Sequence, residues 1–237
     1  MRESRTETSA DSRKGHFGQR PGTEPPNKGR GRYPGQPLTM AEVRQLLAGC
    51  SLRAPTGIRN RAMLTLLVRS GLRVSELLGD DGNGGKRAHR QPLRLADVNL
   101  ERHSIRLLDT KSGQPQTRGF HPDATDALMR WIDTRKSLGV TSGALFCTLA
   151  GEPLSEDYVR GLLRRLAAKA GLEKRVHPHG LRHTYAVELE AAGVPITTIS
   201  KLLGHSSVAV TARYLDHLTN HQAIVALEAV QLPSLEP

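Results

Sequence analysis

Six stretches of helix-forming sequence follow one another from residue 123 onward, most of them closed by glycine, and they constrain the fold more than any other feature. They read DATDALMRWIDTRKSLG, SEDYVRGLLRRLAAKAG, LRHTYAVELEAAG, ITTISKLLGH, SVAVTARYLDHL and TNHQAIVALEAV. Upstream, Leu38-Thr39 leads into MAEVRQLLAGC, an N-cap followed by apolar Val43, Leu46 and Leu47 at helical spacing. A second helix, GIRNRAMLTLLVRSG, closes on Gly71, and a third starts near Leu72-Arg73 and runs through Glu76 to Leu78. Between these blocks lie short alternating segments, Leu95–Leu100 and Ser104–Leu108, then a turn at Lys111-Ser112-Gly113 and a return strand near Thr117–His121. The pattern predicts a mainly α domain with a small antiparallel β-sheet, an α+β fold. No internal repeat of fixed period is visible.

Charge separates the tail from this domain. The chain of 237 residues carries 34 Lys+Arg against 23 Asp+Glu, a formal +11. Residues 1–37 hold eight Lys/Arg and four Asp/Glu, many Gly and Pro, and almost no large aliphatics, so they read as a disordered basic tail of net +4. That leaves +7 on residues 38–237, a folded basic domain whose partner is a polyanion, nucleic acid before an anionic membrane surface. No apolar run approaches the roughly 18 residues that span a bilayer. The first twenty residues lack the apolar core of a secretory signal. Two distant cysteines, Cys50 and Cys147, build neither a disulfide framework nor a zinc ribbon, which fits a reducing cytoplasm. Residues 79–92, with GDDGNGGKRAHRQP, read as a flexible loop or insertion.

Residues 177–215, HPHGLRHTYAVELEAAGVPITTISKLLGHSSVAVTARYL, carry the chemistry. The middle has the cadence of a helix-turn-helix, which fits either a helix from Ile196 set in a DNA groove or ordinary helix–helix packing. The flanks add reactive groups. His179 and Arg182 stand three apart at a helix start, Gly204-His205 follows, and Tyr214 comes nine residues after that histidine. A guanidinium is shaped for bidentate phosphate contact, imidazole moves protons near neutrality, and a phenol attacks phosphorus once its proton is accepted.

This spacing resembles the tyrosine recombinases, or phage integrase family, over roughly residues 38–230. The matching segments are SGLRVSELL with Arg73 and Glu76, TKSGQPQTR with Lys111, HGLRHTYA with His179 and Arg182, LLGHSS with His205, and TARYL with Tyr214. Each piece is weak alone; five in family order make a specific signal. The resemblance implies a site-specific DNA recombinase that cuts through a 3′-phosphotyrosyl link to Tyr214. Arg73 and Arg182 would form a clamp on the scissile phosphate, with Glu76 orienting Arg73. His179 would hold or accept the phenolic proton, His205 would hydrogen-bond a non-bridging oxygen, and Lys111 would protonate the leaving 5′-oxygen. Arg118 and Lys201 would contact DNA. The phosphotyrosine conserves the energy of the broken bond, so the resemblance implies no ATP, metal or other cofactor; the glycines of Gly82–Gly85 lack the phosphate-loop form. It further implies double-stranded DNA as partner, a homotetramer on DNA, no membrane, and a cytoplasmic, nucleoid-associated location.

Bland readings stand beside these. Tyr214 has Tyr33, Tyr158 and Tyr185 as competitors, and an unplaced tyrosine is ordinarily a buried helix aromatic. Lys111 reads equally as a solvated turn lysine, with Lys86 and Lys136 as rivals. His179 and His183 have the i, i+4 spacing of a metal pair but no nearby carboxylate or Cys completes a site, so His183 reads as a structural hydrogen-bonder. The apolar segment 220–230 packs on its own domain or on a neighbouring protomer. Family members carry a further N-terminal helical domain that clamps the opposite DNA face, whereas here a 37-residue tail precedes the domain. The expectation is a catalytic-domain-only member, a fragment, or a chain that borrows an accessory protein or second clamp domain. Two rival functions share the fold: a relaxing type IB topoisomerase, and a DNA-binding regulator or accessory factor with little or no cleavage.

Overall fold

A computed structural model describes residues 36–80, 90–108, 114–205 and 207–215, with residues 213–215 described by backbone alone. The basic tail to residue 35, most of the 79–92 loop with Lys86, the Lys111 turn and the 220–230 segment lie outside the described residues.

Local signals account for most helix starts. Helix α1 (Met40–Ala48) opens on Thr39, whose hydroxyl accepts from the Glu42 amide at 3.2 Å while the Glu42 carboxylate accepts from the Thr39 amide at 2.7 Å. Helix α2 (Pro55–Ser70) begins with proline at its first position and ends at Gly71, whose φ of +61° is the left-handed cap that glycine adopts without strain. Arg73 then caps the short α3 (Val74–Leu78), so this helix starts one residue later than the sequence pattern predicts. Beyond α3, Asp80 and Arg90 form a bridge in which the amide of each donates to the other's carbonyl.

The sheet is antiparallel with order β1-β2-β3 (Val98–Asn99, Ser104–Leu107, Gln116–Gly119), as expected in kind. Its first strand is shorter than the alternation predicts. Leu95–Asp97 form a 3₁₀ turn, because the Asp97 carboxylate pairs with the Arg94 guanidinium at 2.7 Å and its amide returns to the Arg94 carbonyl. Ile105 opposite Arg118 sets the β2–β3 register, so the strand pair presents Arg118 toward the helices that follow.

Helices α4 (Thr125–Ser137), α5 (Glu156–Lys169, capped by Ser155) and α6 (Pro178–Ala191, capped by His177) complete the main layer. The main core is centred on fully buried Trp131, Phe146, Leu64, Leu66 and Ile105, and the Trp131 indole donates to the Leu145 carbonyl at 2.8 Å. Burying that many large apolar side chains, each worth about 1.5–3 kcal/mol, is what offsets the entropy of ordering this part of the chain. Helix α6 divides its apolar face. Leu181 enters the main core, whereas Tyr185 and Ala186 belong to a second, small cluster with Ile199 and Leu203 of α7 (Ile196–Leu203). Helix α8 (Val208–Leu215) packs on α6 and α7. Among the described residues no helix is long and apolar enough to cross a membrane, and Cys50 and Cys147 are buried free thiols.

Candidate active site

Five of the eight predicted site residues, together with Glu76, converge where the starts of α3 and α6 meet the end of α7. Arg73 comes first. Glu76, three residues on, accepts from the Arg73 amide at 2.8 Å through one oxygen and from its guanidinium at 2.7 Å through the other. One buried carboxylate thus caps the helix and aims the arginine. The oxygen that takes the amide also lies 4.0 Å from Arg182 Nη1, so Glu76 stands between two guanidiniums from distant segments.

The two arginines differ in exposure. The Arg73 side chain is 41% exposed, while that of Arg182 is 2% exposed. Arg182 is anchored by backbone: Nη1 donates to the Gly71 carbonyl at the end of α2, and Nη2 donates to the Leu203 carbonyl at the end of α7, at 2.7 Å. Both carbonyls belong to helix C-termini, where unsatisfied acceptors and the negative end of the macrodipole favour a cation. Glycine is required at position 71 twice over. Its φ is positive, and a Cβ there would lie 2.5 Å from the Tyr185 ring and 2.8 Å from Leu203. Tyr185, one of the competing tyrosines, is therefore a packing residue of the small cluster.

Arg118 enters from β3. It is buried, donates to Gln116 Oε1 at 2.5 Å and to the Lys201 carbonyl at 3.4 Å, and lies so close over Gly204 that a Cβ there would come within 1.5 Å of Nη2. Gly204, at φ +66°, closes α7 and turns the chain into His205. The His205 ring is held by Thr211 of α8, with Nδ1 2.8 Å from the hydroxyl oxygen.

The charges act on one another. Burial, then Arg182, Arg73, His179 and Arg118, push the His205 pKa down to about 4, so its imidazole is neutral at pH 7. His179 is also held below the usual histidine range, by the protein atoms crowding its ring first and then by Arg182, His177 and Arg73; its surface is nonetheless exposed, and the flanking cations act in the same direction. Burial lowers the Arg118 pKa, which the Glu76 charge partly offsets. Three guanidiniums and two neutral imidazoles around one carboxylate make a site matched to an oxyanion that brings its own negative charge.

The remaining predicted residues stand apart. Lys201 is exposed on α7, and only its carbonyl takes part in the contacts above. Tyr214 lies on α8, three residues after Thr211, with its backbone alone described. Lys111 lies outside the described residues; its rival Lys136 is exposed at the end of α4, in a helix that contributes none of the site's side chains. His183 is buried, and Tyr158 bonds Asn60 and Arg59 under α5. Among the described residues no group of three or more His, Cys, Asp or Glu has metal-holding geometry. Sequence reading missed Thr211 and the Gly71 and Leu203 carbonyls. The spacing of Thr211 three residues before Tyr214 was a usable signal, but the carbonyls left none.

The fold, mainly helical with a small antiparallel sheet, has counterparts among known proteins. The phage integrase family model matches residues 36–221. The chain is 32% identical over 180 residues to tyrosine recombinase XerD of Ralstonia nicotianae, covering 75% of this chain and 54% of that protein. Among solved structures it is similar to XerA recombinase, with a TM-score of 0.67 and 27% identity over 83% of this chain and 66% of that one. It shares its fold with the XerH site-specific recombinase bound to palindromic difH substrate, at a TM-score of 0.65 and 23% identity, covering 84% of this chain and 55% of that one. The chain belongs to the phage integrase family, the tyrosine recombinases. It spans about half the length of the curated relatives it matches.

Proposed function

We propose that this chain is the catalytic domain of a site-specific DNA recombinase or integrase that breaks and rejoins strands through Tyr214. The observation that carries the reading is the convergence of Arg73, Arg118 and Arg182 with two neutral imidazoles around Glu76, beside the turn that leads into the helix of Tyr214. In the proposed step the Tyr214 oxygen attacks the scissile phosphorus and forms a 3′-phosphotyrosyl bond as the bond to the 5′-oxygen breaks. Neutral His179 takes the phenolic proton, and Lys111 gives a proton to the leaving 5′-oxygen. Arg73 and Arg182 balance the charge that builds on the non-bridging oxygens, and His205 donates a hydrogen bond to one of them. Arg118 and Lys201 hold neighbouring DNA phosphates. Religation runs the same steps backwards, so no nucleotide hydrolysis is needed. Strand exchange pairs two such sites on each of two duplexes, which makes the working form a tetramer on DNA, acting on DNA in the cytoplasm with a clamp for the opposite face supplied by an accessory protein or further domain.

The test is covalent capture. Nicked suicide duplexes drawn from a random pool are incubated with the chain and run on denaturing gels. A protein–DNA adduct is expected, and it should vanish in Tyr214→Phe while DNA binding persists. An adduct that survives that substitution removes Tyr214 from the role. Binding without any adduct would leave the regulator reading, and relaxation of supercoiled plasmid by single protomers would favour the topoisomerase one.

A further inference from the structure

The His205 side chain is tied to α8 by the bond between Nδ1 and Thr211 Oγ1, at 2.8 Å. Thr211 is fully buried, and it stands three residues ahead of Tyr214 on the same helix. A neutral imidazole carries one N–H and one lone pair, and the partner of the first nitrogen decides what the second can do. If the threonine hydroxyl donates to Nδ1, the proton sits on Nε2, which is then a donor. If Nδ1–H donates to the hydroxyl, Nε2 presents only a lone pair, which a phosphate oxygen repels.

We propose that Thr211 is a positioning residue that holds His205 as the Nε2–H tautomer against a bound phosphate and ties that ring to the helix carrying Tyr214. This rests on the recombinase reading of the site. A buried hydroxyl needs an acceptor for its proton, and among the described contacts of Thr211 that acceptor is Nδ1. The groups facing the ring are Arg182 and His179 of α6, Arg73 ahead of α3 and Arg118 of β3. Their field alone favours a lone pair at Nε2; an oxyanion among the arginines reverses it, and the hydroxyl then completes the arrangement from behind. Because the ring is neutral at pH 7, the hydrogen bond it offers depends on tautomer rather than on charge. The same contact couples two events, since a shift of α8 that brings Tyr214 to phosphorus also moves the anchor of His205.

The experiment reads the tautomer directly. The full chain carrying Tyr214→Phe is labelled with ¹⁵N-histidine and saturated at low salt with random-sequence duplex DNA. Nitrogen shifts of His205 should show Nε2 protonated and Nδ1 bare. Thr211→Val keeps the shape and removes the hydroxyl, so the two tautomers should mix; Thr211→Ser should restore the original pattern. Retained histidine spectra elsewhere separate this from unfolding. In the Tyr214 background, Thr211→Val should slow adduct formation by about tenfold, the scale on which loss of a histidine's outer partner acts, with Thr211→Ser near full rate. A protonated Nδ1 with Thr211 intact, or a spectrum unchanged in Thr211→Val, overturns the proposal. Absence of any adduct with Thr211 intact strikes the recombinase reading instead, and leaves the tautomer result to stand alone.

Discussion

The arginine half of the site and the histidine–tyrosine half rest on different amounts of protein. Arg73, Glu76 and the start of α6 grow out of the main core, where α2, α3 and α6 are locked around residues such as Leu64, Leu77 and Leu181. His205 and α8 rest on a cluster of four buried residues, Tyr185, Ala186, Ile199 and Leu203, with Val208 and Val210 of α8 exposed. Local stability follows buried apolar contact, so the arginine cluster is built in advance while α8, which carries the proposed nucleophile Tyr214, belongs to the part that opens most easily. Arg182 joins the halves, because its two carbonyl partners lie one in each: Gly71 on the main core and Leu203 on the small cluster. The proposed cleavage chemistry would benefit from this division. Charges that stabilise a transition state gain from rigidity, whereas an attacking group needs to approach and withdraw.

The strongest way to break the comparison is to remove the joint. Arg182→Leu leaves two buried carbonyls without their donor and Glu76 with Arg73 as its remaining cation, and is expected to cost about 3–5 kcal/mol in urea unfolding. Arg182→Lys should recover little, since an ammonium cannot span both carbonyls in the fixed geometry of a guanidinium. Next come two apolar truncations. Trp131→Ala is expected to lose about 3–5 kcal/mol and to do so globally, while Leu203→Ala should lose about 2–4 kcal/mol, concentrated in α7 and α8. Hydrogen exchange reads the difference; equal loss of protection in α2 and α7 for Leu203→Ala would mean that the two clusters are one cooperative unit.

A smaller effect concerns pH. His205 titrates near 4 in the folded chain and near 6.5 when unfolded, so between those values the unfolded state binds the extra proton. Stability is therefore expected to fall as pH drops from about 6.5 toward 4, with His179 adding in the same direction. Urea midpoints across that window should flatten in His205→Gln, and an unchanged slope would place the ring in water. Smallest in stability is Glu76→Gln. An amide oxygen still caps Arg73 but the ion pair is gone, and because Arg73 is partly exposed the loss should stay at about 1–2 kcal/mol. If unfolding shows no change, the carboxylate charge is serving only the site.

Helices were legible where local chemistry writes them: Thr39 and Ser155 as caps, and Gly71 and Gly204 as left-handed stops. The first strand was not, because an alternating apolar pattern does not reveal that Arg94 and Asp97 close a turn across it. Within the site, the cations were legible by residue type and order. Their supports were not: carbonyls look alike at every position, and Gly71 lies 111 residues from the arginine it holds.

By itself the sequence determined the order and kind of the reactive groups, the breaks between helices and the excess of positive charge over the folded domain. Only the tertiary structure decided which cations meet, that Glu76 sits between Arg73 and Arg182, that Arg118 covers Gly204, and that His205 leans on Thr211 and stays neutral. The reason is range. Caps and turns are settled by neighbours a few residues away, whereas desolvation, and the field of three guanidiniums drawn from separate elements, exist only once the chain has packed.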